Sequence, residues 1–151
     1  MNSRILVQEA DFDVAAQYNA LRAQCNNSGA IVLFTGLVRD FNAQGGIEGL
    51  VLEHYPAMTH KSLEGIVQKA EARWPLLGVT VIHRVGKLNN ADQIVLVAVA
   101  SQHRDAAFEA AQFIMDYLKT EAPFWKKECL SDSESQWVEA KESDQRARDR
   151  W

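Results

Sequence analysis

The sequence has no long apolar run: the longest, residues 94–100, is seven residues, against the roughly 20 that a helix needs to cross a bilayer. A membrane-spanning helix is thereby excluded. Met1-Asn2-Ser3-Arg4 leads to Glu9 without the apolar stretch or small-residue cleavage site of a signal peptide, which predicts a cytoplasmic protein. Cysteine is scarce. Cys25 and Cys129 lie far apart with no ligand-like spacing, favouring free thiols over a disulfide framework. Excess positive charge is also missing, with 16 Lys and Arg against 20 Asp and Glu and a formal charge of −4. That argues against general nucleic-acid binding, whose affinity comes mainly from neutralising phosphates, so any anion site must be local. The three prolines mark no linker, and no repeat or composition shift divides residues 4–137, so 1–151 is read as a single domain with a charged tail over 141–151. Glycine-rich phosphate loops, Gly-x-Ser-x-Gly, His-Glu-x-x-His and Cys-x-x-Cys are all absent. The four histidines, at 54, 60, 83 and 103, show no metal-ligand spacing, so no metal and no cofactor is expected.

What is present is an ordinary soluble core: 151 residues, 47% hydrophobic and 24% charged, a chain able to bury about 70% of its unfolded surface. Residues 4–7 read as a short strand. Asp11 or Asp13 caps a helix to about residue 23, with Ala15, Ala16, Tyr18 and Leu21 inward, and Asn26-Asn27-Ser28-Gly29 breaks it. Residues 30–34 form a buried strand continuing to Arg39. Residues 40–48, with Gly45-Gly46, read as a mobile loop, and 49–55 alternate as a strand with one wetter face. From Thr59, Leu63, Ile66, Val67, Ala70 and Trp74 recur at helical spacing until Pro75. Residues 79–85 and 94–100 read as a hairpin about Asn89-Asn90. A helix over about 102–120 carries Ala107, Phe108, Ala111, Ile114, Met115 and Leu118 on its buried stripe, and Pro123 ends it. Residues 124–128 and 136–139 can form short strands, and 141–150 read as a solvated helix or fraying tail. The class is α+β with mainly antiparallel pairing.

Candidate chemistry concentrates between Ser101 and Glu128. A helix starting near Gln102 presents unpaired N–H groups and its positive dipole end beside His103 and Arg104, which suits a phosphate or carboxylate. Arg39 reaches the same place if its strand lies alongside the helix start; the plainer alternative is that both arginines decorate the surface. Lys119, four residues after Met115 and eleven after Phe108, falls on the apolar stripe. It either snorkels its ammonium into water or sits desolvated in a pocket, poised for proton transfer or attack on a carbonyl. Pro123-Phe124-Trp125 can wall such a pocket, with Lys126 and Lys127 beside it. His54 and His83 read as hydrogen-bonded structural residues and His60 as solvated. Cys129, despite its neighbouring lysines, reads first as an inert thiol.

The blocks 34–39 (Phe-Thr-Gly-Leu-Val-Arg), 52–56 (Leu-Glu-His-Tyr-Pro), 81–86 (Val-Ile-His-Arg-Val-Gly), His103-Arg104 with Ala107-Phe108-Glu109-Ala110, 113–119 (Phe-Ile-Met-Asp-Tyr-Leu-Lys), 123–126 (Pro-Phe-Trp-Lys) and 137–140 (Trp-Val-Glu-Ala) together resemble the large, catalytic subunit of molybdopterin synthase. The resemblance covers nearly the whole chain in order, and is weak only over residues 1–28. It implies a hammerhead-type α+β fold with two to three helices. It also implies a sulfurtransferase that converts cyclic pyranopterin monophosphate to molybdopterin. The sulfur would come from the C-terminal thiocarboxylate of a small ubiquitin-like partner subunit, in a heterotetramer built on a homodimer of this chain, with neither nucleic acid nor membrane as partner. Carried onto matching positions, Lys119 and Lys126 are catalytic, and Arg39, His103 and Arg104 bind the anionic pterin. Leu37, Val38, Lys127 and Glu128 border its pocket, and Phe34 and Met115 lie near the incoming tail. Ala57, where the family pattern has glycine, and Lys141, where arginine is common, depart from it; if position 141 contacts substrate, a lysine there loses bidentate anion recognition. The alternative reading is a non-catalytic dimer that binds the ubiquitin-like subunit.

Overall fold

The computed structural model describes residues 2–39, 47–54, 56–121, 124–130, 135–138 and 142–151, with 47–50, 124–130, 135–138 and 142–145 as backbone only. The most apolar segments make its centre. β1 (Asn2–Gln8), β2 (Ala30–Leu37), β4 (Leu76–Arg84) and β6 (Gln93–Ser101) form one sheet in the order β1-β4-β6-β2. Its β1/β4 pairing is parallel and the other two are antiparallel. β4 and β6 are buried on both faces, so they read as near-continuous apolar runs. On one face lies α1 (Val14–Gln24), whose Leu21 and the following Cys25 pack on Ala98 and Ala100. On the other lie α2 (Pro56–Arg73) over β1 and β4, and α3 (Arg104–Glu121) over β6 and β2. Leu63, Ile66, Val67 and Ala70 of α2 and Ala110, Phe113, Ile114 and Leu118 of α3 close the main core over Val79, Val81, Val97 and Val99.

A second sheet runs β5-β3-β7-β8, all antiparallel, from β3 (Ile47–His54), β5 (Gly86–Asn89), β7 (Phe124–Leu130) and β8 (Ser135–Val138). The two sheets meet where Val38, Leu52 and Leu88 bury one another with Ile94, which also packs on the main core. Arg84 straps the loop after β1 to this junction, donating to the Glu9 and Gln93 carbonyls. Beside it, hydrogen bonds from the Gln93 amide and the Phe12 N–H hold the Asp11 carboxyl below the ordinary carboxylate range.

The mixed, mainly antiparallel α+β reading holds, with several local corrections. β4 and β6 pair as expected, but no tight hairpin joins them: β5 intervenes and crosses to the second sheet. α2 begins at Pro56, because a proline at the first helical position gives up an N–H that has no helical acceptor anyway. Asp13 caps α1 by accepting from the Ala16 N–H, yet Ala15 and Ala16 face solvent and only Leu21 is fully inward. Phe108 is 61% exposed rather than on the buried stripe. α2 lies on the Phe113 and Tyr117 side of α3, which rotates the buried arc away from Phe108.

The charged tail is a helix, α4 (Glu142–Asp149), and its end does not fray. Arg148 pairs with Glu121 at 3.3 Å, Arg150 with Asp116 at 3.3 Å, and the Trp151 indole N–H also donates to Asp116. The Trp151 ring meets Trp74 and Phe113 edge-on, and the Arg73 guanidinium lies against all three rings. The reading of 40–48 as a mobile loop falls outside the described residues up to 46, and residues 47–48 belong to β3 instead.

Candidate functional site

β2 ends at the junction of the two sheets, and its last turn of chain is fixed from both sides. The register shifts between Gly36 and Leu37, leaving Leu37 52% exposed. Val38 then drops into the junction at 2% exposure, its N–H bonded to the Asp92 carbonyl at 2.9 Å and its carbonyl accepting from Ala91 at 2.8 Å. Arg39 emerges next, exposed. Leu52, packed on Val38, stands opposite Lys126 in the β3/β7 register, while Val51 stands opposite Lys127 and Leu50 opposite Glu128. Paired strands lie about 4.8 Å apart, so the backbone of 126–128 runs within a strand's width of the cluster that seats Arg39. The side chains of Lys126, Lys127 and Glu128 lie outside the described residues, as does Lys141.

α3 supplies a second wall. At 100° per residue, Arg104, Phe108, Met115 and Lys119 share one shoulder of the helix, on the side away from α2 and toward the β2 edge. Met115 is nearly closed off at the margin of the core, whereas Arg104, Phe108 and Lys119 are exposed. Phe34 lies on the α3 face of β2, two residues beyond the core residue Val32, and is 42% exposed. Its ring leans over Gly36, where an added Cβ would meet it at 3.5 Å and Val95 Cγ1 at 2.8 Å. Phe108, Phe34 and Leu37 thus leave apolar surface open along the α3/β2 edge, with Phe108 about 6 Å from Arg104 and Lys119 about 16 Å further along the helix at 1.5 Å per residue. The lysine therefore carries its ammonium at the protein surface rather than inside the single chain.

His103 and Arg104 are also exposed and open the 18-residue helix α3, whose dipole end and first N–H groups attract anions. Gly29 locks this corner: its N–H donates to the Ser101 carbonyl at 2.9 Å. The corner is at the wrong end of β2 to meet Arg39. Ala30 pairs with Ser101 and Leu37 with Gln93, so Leu37 sits roughly 23 Å along the strand at about 3.3 Å per residue, and Arg39 follows two residues beyond it. α3 runs back over β6, carrying Lys119 about 22 Å from Arg104 at 1.5 Å per residue to the Arg39 end. One chain therefore gathers Arg39, Lys119 and the Lys126 backbone at one end, and His103 with Arg104 at the other.

His83 and Cys25 are structural. His83 is buried, with Nδ1 2.7 Å from the Arg84 carbonyl. His60 is half-exposed and pairs with Glu64 at 3.0 Å. Cys25 is a buried free thiol, and the Cys129 side chain lies outside the described residues. No three His, Cys, Asp or Glu converge among the described residues, and no helix among them is long and apolar enough to cross a membrane.

Residues 7–121 match the family model described as "MoaE protein". The chain is 55% identical over 151 residues to the molybdopterin synthase catalytic subunit of Vibrio cholerae, covering 100% of this chain and 99% of that one. The solved molybdopterin biosynthesis MoaE protein of Burkholderia ambifaria is 48% identical, with a TM-score of 0.84 over 99% of this chain and 97% of that one. Molybdopterin synthase from Staphylococcus aureus is 33% identical, with a TM-score of 0.79 over 90% of this chain and 96% of that one. Identity of this extent, along the whole chain and over the same α+β architecture, means that the chain belongs to the MoaE family, among the catalytic subunits of molybdopterin synthase.

Proposed function

We propose that this chain transfers sulfur from the C-terminal thiocarboxylate of a small ubiquitin-like subunit to cyclic pyranopterin monophosphate, installing the two dithiolene sulfurs of molybdopterin. The observation that carries the reading is the exposed apolar edge that runs from Phe108 past Phe34 and Leu37 toward Lys119, which lies at the same end as Arg39. An extended tail can lie on that apolar surface and bring its terminal anion to the lysine. Both reactants are anions, so cations must converge on them without unpaired burial. Each thiocarboxylate gives one sulfur, so two are consumed: the new C–S bond on the pterin replaces a C–O bond, and the sulfur's bond to the tail's carbonyl carbon breaks as water takes its place and leaves a carboxylate. In this reading Lys119 neutralises the thiocarboxylate and delivers a proton to the oxygen that sulfur displaces. Lys126 acts at the pterin, and Arg39, His103 and Arg104 hold its phosphate, a task that suits arginine's fork of donors.

The separation of Arg39 from His103 and Arg104 favours a homodimer within the heterotetramer. A two-fold axis that sets one chain's α3 start against the other chain's β2 end completes two equivalent sites, each with cations from both chains. The test is conversion of cyclic pyranopterin monophosphate to molybdopterin by the purified chain with a thiocarboxylated small subunit. Product is expected. A stable complex on gel filtration without product would instead support the non-catalytic partner-binding reading.

The shared-site arrangement has its own expected outcome. Lys119→Ala and Arg104→Ala dimers are each impaired, but after subunit exchange the mixed dimers regain one intact site in two. Random exchange then restores activity to about a quarter of wild type. No recovery on mixing would place all the cations in one chain.

A further inference from the structure

We infer that the turn over residues 89–92 is the positioning element for Arg39, and that Asp92 is the residue that sets it. The inference rests on the reading of Arg39 as a phosphate ligand. The turn joins the two sheets, leaving β5 at Asn89 and entering β6 at Gln93. Its closure is doubled: the Asp92 N–H donates to the Asn89 carbonyl at 3.0 Å, and the Asn89 N–H donates to the Asp92 carboxylate at 2.8 Å. Two further main-chain groups of the turn are spent on Val38, whose N–H reaches the Asp92 carbonyl and whose carbonyl accepts from Ala91.

Ala91 holds φ at +73°, where a residue with a Cβ is disfavoured. Such a conformation persists only where the surroundings over-determine it, and here the determinants are the carboxylate of Asp92 and the two bonds to Val38. Leu88, one residue before the turn, is fully buried against Val38 and Leu52. The step before Arg39 is therefore clamped to a rigid corner, which fixes where the Arg39 Cα leaves the sheet. Asp92 does not touch substrate in this account. It acts through Val38 on the direction in which Arg39 leaves the sheet, which makes it a positioning residue.

The experiment compares Asp92→Ala, Asp92→Asn, Arg39→Ala and the double variant Arg39→Ala/Asp92→Ala in the complete two-subunit enzyme. Asp92→Ala is expected to raise KM for cyclic pyranopterin monophosphate about tenfold, the effect of misplacing one charge-assisted contact, with kcat within about twofold. Asp92→Asn keeps an oxygen acceptor for the Asn89 N–H and should restore a KM near wild type. On the Arg39→Ala background, Asp92→Ala should raise KM no further, because the two act as one unit. An equal further rise, a loss of kcat without a KM effect, or an unchanged KM in Asp92→Ala would each overturn the inference. Amide hydrogen exchange at Val38 and Ala91 separates this from the functional reading. Those amides should exchange faster in Asp92→Ala and not in Asp92→Asn. If the wild type makes no molybdopterin, the functional reading fails, and unchanged exchange in Asp92→Ala would independently sink the positioning role.

Discussion

Replacing Lys119 by alanine should lower conversion of cyclic pyranopterin monophosphate about a thousandfold at saturating thiocarboxylated partner, the scale of losing a positioned proton donor that also stabilises charge in the transition state. The fold should not register the change. Lys119 is exposed near the end of α3 and packs into no core cluster, so the unfolding midpoint moves by no more than a surface substitution does, within about 0.5 kcal/mol. A small loss from removing a cation in the last helical turn is offset by alanine's higher helix propensity. Complex formation with the small subunit should survive, since Phe34, Leu37 and Phe108 remain to hold its tail. Lys119→Arg refines the result. It keeps the positive charge but not a group that readily gives up a proton, so it should bind both anions and still turn over poorly. Near-wild-type turnover by Lys119→Ala would remove the lysine from the chemistry.

The sequence carried the elements whose periodicity is local. β6 is an unbroken apolar run and α2 repeats Leu63, Ile66, Val67 and Ala70 at helical spacing, and both lie where that pattern puts them. Phe108 shows where periodicity stops being sufficient. Its position beside Met115 is right for a buried stripe, but which shoulder of an amphipathic helix is covered depends on where the neighbouring helix packs, and α2 lies on the other side. The split into two sheets was equally hidden, because four-residue β5 pairs with β3 across more than thirty residues of chain, and no local signal marks that choice. Trp151 follows a run of charge that reads as solvated, yet its ring closes the Trp74, Phe113 and Arg73 cluster.

For the candidate site, the residue types were legible and their meeting place was not. His103, Arg104, Arg39 and Lys119 are each the kind of group that an anionic substrate requires. Antiparallel pairing of β2 with β6 places Arg39 and His103 at opposite ends of the sheet, a consequence of register that a reading of single segments does not reach. Asp92 and Ala91 offered no chemical signature at all. Their importance comes from two hydrogen bonds to Val38 and one positive φ.

The stability of the His103 and Arg104 corner depends on the absence of a side chain at Gly29, and here the same substitution at two glycines should act with opposite sign. A Cβ at Gly29 would sit 2.0 Å from the Gln102 carbonyl oxygen and 3.0 Å from its carbon. Both are backbone atoms, so no side chain can swing aside. Either the start of β2 peels away from Ser101, breaking the 2.9 Å bond from the Gly29 N–H, or the Gln102 peptide moves and takes the first turn of α3 with it. Overpacking of this kind with a lost hydrogen bond costs about 3 kcal/mol, and for a domain of this size about 10 °C in Tm. Gly65, inside α2, has nothing within 4 Å of an added Cβ, so Gly65→Ala should stabilise by roughly 0.5–1 kcal/mol through helix propensity alone. Calorimetry on the two variants gives the signs directly. At temperatures where Gly29→Ala remains folded, its KM for the anionic substrate should still be raised, because the α3 start that presents His103 and Arg104 has shifted. A Gly29→Ala protein with wild-type Tm and KM would mean that the corner yields without cost and that those two residues need no fixed place.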